Sequence, residues 1–227
     1  MKSPSGPPVL ARPYRGISAE ERRRQRHEQL MDAAFEVFAT LGLARVTMRD
    51  ICAQARLTER YFYDSFRSTE EAFDAVHQRQ EELLFARVAQ AMMTAPRTID
   101  GLARAGLRAF YEFIQEDPRR AQVLLIDAFS ANQQSIDRSK KAVGQYVSMI
   151  EHLARELFPS LPSGIHMDML VWGLLGMAIQ VGTIWARDQF RQTIDEVLEY
   201  NLYAWQGLQG LAERMSAQAA SSVDRAP

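Results

Sequence analysis

TMRDICAQARLTERYFYDSF, residues 47–66, predicts two short helices separated by a tight turn. Thr47 and Asp50 have the spacing of a capping box, in which two side chains satisfy the free backbone groups at a helix start. Thr58 is placed to cap the second helix. Because only a few residues remain between the two helices, they must cross closely, as in a helix-turn-helix module.

Helices are also predicted on both sides of this pair. SAEE at 18–21 has the capping-box pattern, and apolar residues recur at helical spacing from Leu30 to Leu41, where Gly42 ends the run. STEE at 68–71 opens a further helix. Three helices therefore precede residue 68.

The rest of the chain continues as helices. Apolar stripes at helical spacing cover residues 99–114, 143–157 and 194–211, and Asp117-Pro118 ends the first of them. No alternating run bounded by turn residues predicts a strand pair. The expected fold is all-α, with about nine helices.

Residues 169–186 form an uncharged, largely apolar segment at the lower length limit for crossing a bilayer. Gln180 and Thr183 interrupt it, and amphipathic segments flank it. We interpret it as a helix buried in a core or between two subunits, without membrane insertion.

Charge is divided unevenly along the chain. Residues 1–68 carry 12 Lys and Arg against 8 Asp and Glu, whereas the remainder carries 15 against 20, which together give the net charge of −1. The basic front indicates a polyanionic partner. One cysteine and four dispersed histidines predict no disulfide, metal site or cofactor. The N-terminus lacks a secretory pattern, so we expect a cytoplasmic protein.

The second helix of the pair has an exposed side suited to a DNA groove. If Leu57, Phe62 and Phe66 pack inward, Arg60 and Tyr61 point outward, and arginine pairs bidentately with guanine in the major groove. The alternative is an ordinary solvated surface.

These residues resemble the DNA-binding region of the tetracycline-repressor (TetR) family of bacterial transcriptional regulators. The similar segments are AAFEVFATLG (33–42), TMRDICAQA (47–55) and LTERYFYDSFRSTEEAF (57–73). The resemblance implies an N-terminal three-helix helix-turn-helix domain followed by a helical domain for ligand binding and dimerisation. It also implies that Tyr63 contacts phosphate.

Four positions depart from the family pattern. Arg56 stands where the family usually has glycine in the turn, so a left-handed backbone there would cost about 1 kcal/mol. Ser65 replaces a frequent histidine and Thr69 a frequent lysine. Cys52 replaces a small alanine, and is interpreted as a core residue with redox sensing as the alternative.

The predicted DNA-binding residues lie on helices 1 to 4: Arg22, Arg23, Arg26, Thr47, Arg49, Thr58, Glu59, Arg60, Tyr61, Tyr63, Ser65, Arg67 and Thr69. The arginines at 22–26 fit phosphate contact and a solvated helix face equally well. Arg12 and Arg15, in an N-terminal arm, are further candidates for phosphate or the minor groove.

The predicted domains are an arm (1–16), the DNA-binding domain (17–68), the regulatory domain (69–214) and a disordered tail (215–227). Aromatic, methionine and polar residues of the regulatory domain are candidates for a ligand pocket: Phe110, Phe113, Asp127, Phe129, Tyr146, Met149, Trp172, Met177, Gln180 and Trp185. Candidates for the homodimer interface are Gly173, Gly176, Gly182, Leu198, Leu202 and Trp205. The same apolar positions also fit ordinary packing.

Three functions remain open at this stage. The leading one is a dimeric repressor that leaves its operator when a small apolar or amphipathic molecule binds. The second keeps DNA binding and uses the C-terminal half only for dimerisation. The third is an enzyme with a helical pocket, for which the sequence offers no nucleophile–base pair, phosphate loop or metal cluster.

Overall fold

The computed structural model describes residues 18–128, 133–157, 159 and 167–223. Within these ranges the chain is helical and contains no strand. The helices are α1 (Ala19–Leu41), α2 (Met48–Ala55), α3 (Glu59–Tyr63), α4 (Thr69–Met93), α5 (Ile99–Glu116), α6 (Arg119–Ala121), α7 (Gln133–Leu157), α8 (Met167–Arg187) and α9 (Ile194–Val223). A short 3-10 turn (Leu43–Arg45) precedes α2, and a π-helical segment (Gln122–Ile126) follows α6. The all-α prediction is confirmed.

The starts of the first helices follow the predicted capping chemistry in most cases. Thr47 accepts from the Asp50 amide, and Asp50 accepts from the Thr47 amide at 2.9 Å, which completes the capping box of α2. Ser18 caps α1 and Ser68 caps α4 through one side-chain bond each. Thr58 occupies the cap position of α3 but makes no capping hydrogen bond with its side chain, contrary to expectation.

The turn between α2 and α3 keeps the left-handed backbone that normally favours glycine. Arg56 has φ 52° and ψ 39°, which costs about 1 kcal/mol for a residue with a Cβ atom. Gln29 of α1 donates to the Ala55 carbonyl at 2.7 Å and fixes this end of α2. The orientation of α3 therefore depends on contacts with α1 as well as on the turn from α2.

One core holds the three N-terminal helices against the first turns of α4. Phe38, Ile51, Phe62 and Phe73 are fully buried in it. Because α4 is a single helix of 25 residues, its later turns extend into a second core with α5 and α7. A rigid element thus connects the N-terminal helices to the rest of the molecule.

A third core joins α5, α8 and α9. At its centre, Asn201 donates to the Tyr111 hydroxyl at 2.7 Å, and that hydroxyl donates to the Ala178 carbonyl at 3.3 Å. These hydrogen bonds offset part of the free-energy cost of burying the two polar side chains. The chain therefore locks three helices together through one hydrogen-bonded group.

The C-terminal end differs from the sequence prediction. Helix α9 continues to Val223, so residues 215–223, which were expected to be disordered, are helical. Alanine, glutamine and serine in this segment are compatible with a helix, and the helix that precedes it needs no new nucleation.

Helix α8 is long and apolar enough, by length and composition alone, to cross a membrane. Only 28% of its most apolar 18-residue window is buried within the chain. The core of the chain therefore covers only part of this helix, and much of its apolar surface is exposed.

Candidate DNA-binding surface and ligand cavity

The outer side of α3 presents the residues that were expected to read DNA. Arg60 is exposed, Tyr61 is half-buried and Tyr63 is 60% exposed, whereas Phe62 between them is fully buried. This division follows from the helical period, since every third or fourth residue returns to the same side. The buried side fixes α3, and the opposite side stays available for a groove.

Helix α1 supports that surface directly. The guanidinium of Arg26 lies over the ring of Tyr61, 4.6 Å from its centroid. Arg23 donates to the Asp64 carbonyl at 3.4 Å, at the end of α3. For Arg23 and Arg26 the sequence fitted phosphate contact and a solvated helix face equally well. In the structure both arginines contact α3 or its end.

The other predicted DNA contacts surround α3 at differing exposure. Arg49 pairs with Glu59 at 3.3 Å, and this exposed pair bridges the starts of α2 and α3. The Thr47 hydroxyl donates to Asp50 within the capping box. The remaining predicted contacts are exposed or half-buried: Arg22, Thr58, Ser65, Arg67 and Thr69. Arg12 and Arg15 lie outside the described residues.

A mostly apolar cavity lies between α4, α5, α7 and α8. Its volume is about 130 Å³, against about 10–15 Å³ that a single buried water needs on the same measure. Along α4 the lining residues follow helical spacing from His77 through Glu81, Leu84 and Val88 to Met92. The cavity therefore extends along several turns of that helix.

The polar lining is concentrated at the end of the cavity nearest the N-terminal domain. Glu81 and Tyr146 line it there together with His77, whose Nε2 is 3.9 Å from Oε1 of Glu81. Burial raises the pKa of Glu81 to about 7. Burial also raises the pKa of Tyr146. At neutral pH the Tyr146 hydroxyl is therefore a donor, and the Glu81 carboxyl carries a proton for part of the time.

Glu81 and His77 were not predicted as pocket residues, because charged or polar residues on a helix usually face water. A signal was available: both residues continue the apolar stripe of Leu84, Val88 and Met92 at intervals of three and four. A charged residue inside such a stripe indicates a buried polar site.

Three of the predicted pocket residues line this cavity: Phe110, Tyr146 and Met149. Two others lie in the packed cores. Trp185 is buried in the third core and donates to the Gln192 carbonyl, and Phe113 packs in the second core under Arg120.

Of the five remaining predicted pocket residues, four lie away from the cavity and one falls outside the described residues. Trp172 packs against the cluster of Val143, Val147 and Val171, because it faces another side of α8. Gln180 is exposed and Met177 is 36% exposed. Phe129 lies outside the described residues. Asp127 also lies away from the cavity and has a different partner, described below.

The predicted dimer residues divide in the same way. Gly173 and Gly176 are exposed, with open space where a Cβ atom would lie. Gly182 instead faces Phe110 within the chain, at 3.2 Å from an added Cβ. Leu198, Leu202 and Trp205 are buried in the third core, since the apolar side of α9 packs on its own α5. These four were assigned to the wrong surface.

The segment after α5 connects the cavity to the N-terminal domain. Val123 packs into the first core, whereas its neighbours Leu124 and Leu125 line the cavity. Asp127 accepts from the Leu43 amide at 3.0 Å, in the turn between α1 and α2. A π-helical stretch here places successive side chains on both domains.

Arg119 adds a second contact at this junction. It forms ion pairs with Asp117 at 2.8 Å and with Glu36 of α1. Its guanidinium also lies 5.3 Å from the centroid of the Phe35 ring. The N-terminal domain is thus held by α4 on one side and by this segment on the other.

The model of the family described as bacterial regulatory proteins, tetR family, matches residues 30–76. That range covers the exposed α3 surface and its supporting helices. The chain is a TetR-family transcriptional regulator. The TetR-family assignment agrees with the segments from which the resemblance was inferred.

Relatives of this TetR-family chain resemble it over most of its length. The HTH-type transcriptional activator FasR of Mycolicibacterium smegmatis is 27% identical over 190 residues, covering 82% of this chain and 84% of FasR. The fatty acid degradation regulator FadR of Bacillus halodurans has a TM-score of 0.70 at 15% identity, covering 80% and 95% of the two chains. FadR of Bacillus subtilis, solved in complex with stearoyl-CoA, also has a TM-score of 0.70 at 15% identity, covering 79% and 97%.

Two further features bear on other chemistry. Among the described residues, no group of three or more His, Cys, Asp or Glu side chains is placed to hold a metal ion. Cys52 is buried, and burial raises the pKa of its thiol. A higher thiol pKa lowers the thiolate fraction, which favours the packing interpretation over redox sensing.

Proposed function

We propose that this regulator binds operator DNA as a homodimer through α3 and is released from it by a long-chain acyl ligand held in the cavity. The observation that carries the proposal is the sharing of α4, whose first turns belong to the DNA-binding core and whose later turns line the cavity. A ligand that displaces α4 therefore acts on the position of α3. We further propose a repressor as the biological outcome, and a cytoplasmic location without enzymatic activity.

DNA recognition rests on Arg60 and Tyr61. In the proposed complex α3 enters the major groove, Arg60 contacts a base edge and Tyr61 contacts a base or a thymine methyl group. Arg26, stacked on Tyr61, positions that ring. Tyr63 and the surrounding hydroxyl and arginine side chains contact phosphate.

Dimerisation rests on the uncovered sides of α8 and α9. Large apolar residues point away from the chain there: Met169 (68% exposed), Ile184 (58%), Tyr200 (60%) and Tyr203 (66%). Open space over Gly173 and Gly176 permits close approach of a second helix. Several large apolar side chains exposed on two neighbouring helices are typical of an interface. A two-fold dimer would present two copies of α3 to half-sites about 34–36 Å apart.

The ligand class rests on the cavity and on the relatives. The cavity is apolar along most of its length, and the Bacillus subtilis FadR structure is described as a complex with stearoyl-CoA. A long acyl chain suits such walls because burial of each methylene contributes about 0.8 kcal/mol.

Release follows from the two connections between the domains. A ligand beside Leu124 and Leu125 presses on the segment that also carries Val123 and Asp127, while contact with His77 and Glu81 presses on α4. Movement of either element changes the angle of the DNA-binding domain. In a dimer, a small rotation of each domain alters the spacing of the two recognition helices.

The test of DNA recognition is a fluorescence-anisotropy titration against DNA from immediately upstream of the gene, at about 0.15 M salt with excess random competitor. We expect tight, competitor-resistant binding that Arg60→Ala weakens by about 10-fold or more. Arg155→Ala is the matched control, since Arg155 is 77% exposed on α7, far along the chain from the DNA-binding domain. Equal weakening by both substitutions would exclude a specific role for Arg60.

The sign of regulation is tested with a reporter gene behind the same operator. FasR is described as an activator, whereas we propose repression here. Deletion of the regulator should raise reporter expression, and a fall in expression would contradict repression without affecting the DNA-binding proposal.

A second candidate is a regulator that binds DNA without responding to a ligand. The exposed apolar sides of α8 and α9 favour it, because dimerisation alone would account for them. Operator affinity that does not change under saturating acyl ligand would support this candidate.

A further inference from the structure

The polar end of the cavity contains donors that the DNA-binding and dimer surfaces do not use. Within the described residues, the Tyr146 hydroxyl is buried and makes no hydrogen bond. Glu81, 19% exposed, lines the same end of the cavity and makes its closest described polar contact with His77, at 3.9 Å. A buried hydroxyl without a partner is costly unless a ligand or water satisfies it.

The Tyr146 hydroxyl is protonated at neutral pH, and the Glu81 carboxyl, whose pKa burial raises to about 7, is a donor in its protonated form. Two donors that line the same end of the cavity match an acceptor oxygen such as a carbonyl. A ligand carboxylate fits less well, since the carboxyl of Glu81 would become its like-charged neighbour on ionisation.

The length of the cavity fits a ligand anchored at this end. Positions along α5 show how far Trp205 lies from Met92. Gly106 of α5 packs beside Met92, and Asp100, six residues earlier on α5, accepts a hydrogen bond from Gln206. Trp205, the residue before Gln206, therefore lies about five helical residues beyond the level of Met92. At about 1.5 Å per residue, Glu81 and the level of Trp205 are roughly 24 Å apart. An extended stearoyl chain, at about 1.2 Å per bond, is about 20 Å long.

Charge outside the same end suits an anionic head group. The segment DRSKK at 137–141 has three cationic residues against one acidic residue. Lys140 and Lys141 are exposed, and the next residues, Ala142 and Val143, line the cavity. Helix α7 thus passes from a basic surface to the polar end of the cavity within one turn.

We propose that Glu81 and Tyr146 bind the carbonyl oxygen of an acyl thioester, whose phosphate-bearing head lies against Lys140 and Lys141 and whose alkyl chain runs towards Trp205. This orientation rests on the proposed acyl ligand and adds the site that recognises its carbonyl. It also places that carbonyl beside His77, whose ring lies 6.1 Å from the Phe73 ring in the DNA-binding core. The group that distinguishes the ligand is therefore read next to the domain it controls.

The test compares stearoyl-CoA with its thioether analogue, S-octadecyl-CoA, which has the same head and chain length but no carbonyl oxygen. Calorimetric titration of the full chain should give about 10-fold tighter binding of the thioester. Tyr146→Phe should reduce this preference by about threefold or more, since it removes one donor and leaves the apolar walls intact. Ser148→Ala is the matched control, because it removes a hydroxyl from an exposed position of the same helix that does not line the cavity.

The possible results distinguish the carbonyl site from the acyl ligand itself. Equal binding of the two compounds, or a preference that survives Tyr146→Phe, would overturn the carbonyl site while leaving the acyl ligand in place. Binding of neither compound would overturn the acyl-ligand part of the proposed function, and the carbonyl site with it.

Discussion

Replacing Glu81 with glutamine is expected to stabilise the protein in a pH-dependent manner. The folded chain raises the pKa of this carboxyl from 4.5 to about 7 because it is buried at the polar end of the cavity. The folded state therefore binds the proton more tightly than the unfolded state does. The resulting stabilisation is complete below pH about 4.5 and is lost as the pH rises through about 7.

The magnitude follows from the two pKa values. Each tenfold difference in proton affinity between the folded and unfolded states is worth about 1.4 kcal/mol, so the whole difference corresponds to about 3 kcal/mol. Between about pH 5 and pH 8 the loss amounts to about 2 to 3 kcal/mol. Glutamine has nearly the same shape as glutamate and does not ionise. The stability of the variant therefore does not fall through this group as the pH rises.

The assay is urea unfolding of the wild type and Glu81→Gln at pH 5 and pH 8, at one protein concentration. The free-energy difference between the two proteins should change by about 2 to 3 kcal/mol in favour of the variant at pH 8. Glu82→Gln is the control, since Glu82 is the exposed neighbour on the same helix. If the stability difference between wild type and Glu81→Gln is the same at both pH values, folding does not raise the pKa of Glu81.

Three further predictions concern the DNA-binding domain and its connections. Arg56→Gly should raise the free energy of unfolding by up to about 1 kcal/mol, because it relieves a left-handed residue at φ 52°; thermal denaturation measures this, and a loss of stability would contradict it. Arg26→Ala should weaken operator binding about threefold to 10-fold by releasing the Tyr61 ring, whereas Arg24→Ala should have a smaller effect in the same anisotropy titration. Asp127→Ala should reduce the effect of stearoyl-CoA on operator affinity, because the Leu43 amide loses its acceptor. An unchanged ligand effect with normal folding would exclude Asp127 as a coupling residue.

The helix-turn-helix could be predicted because its determinants are local. The Thr47–Asp50 capping box and the alternation of buried Phe62 with exposed Arg60 depend on residues a few positions apart. These patterns specify both the helices and the side that faces outward. The sequence did not determine whether the turn at Arg56 has a left-handed backbone. That conformation depends on contacts of α1 and α2 with the residues beside the turn.

The faces of α8 and α9 could not be predicted in the same way. Both helices are apolar on several sides, so periodicity does not distinguish the side that packs within the chain from the side left for a partner. Leu198 and Leu202 are covered by α5, whereas Tyr200 and Tyr203 point outward. The cavity depends on this three-dimensional arrangement as well, which explains why Trp185 was assigned to it in error.

The most direct test of the account is to titrate stearoyl-CoA into a preformed complex of the protein with fluorescent operator DNA. Anisotropy should fall towards the value of free DNA, because the affinity of the protein for the operator should weaken by at least about 10-fold, which corresponds to about 1.4 kcal/mol of coupling. Calorimetry of the same protein establishes that the ligand is bound. Ligand binding that leaves operator affinity unchanged would contradict the proposed coupling of the cavity to the DNA-binding domain through α4.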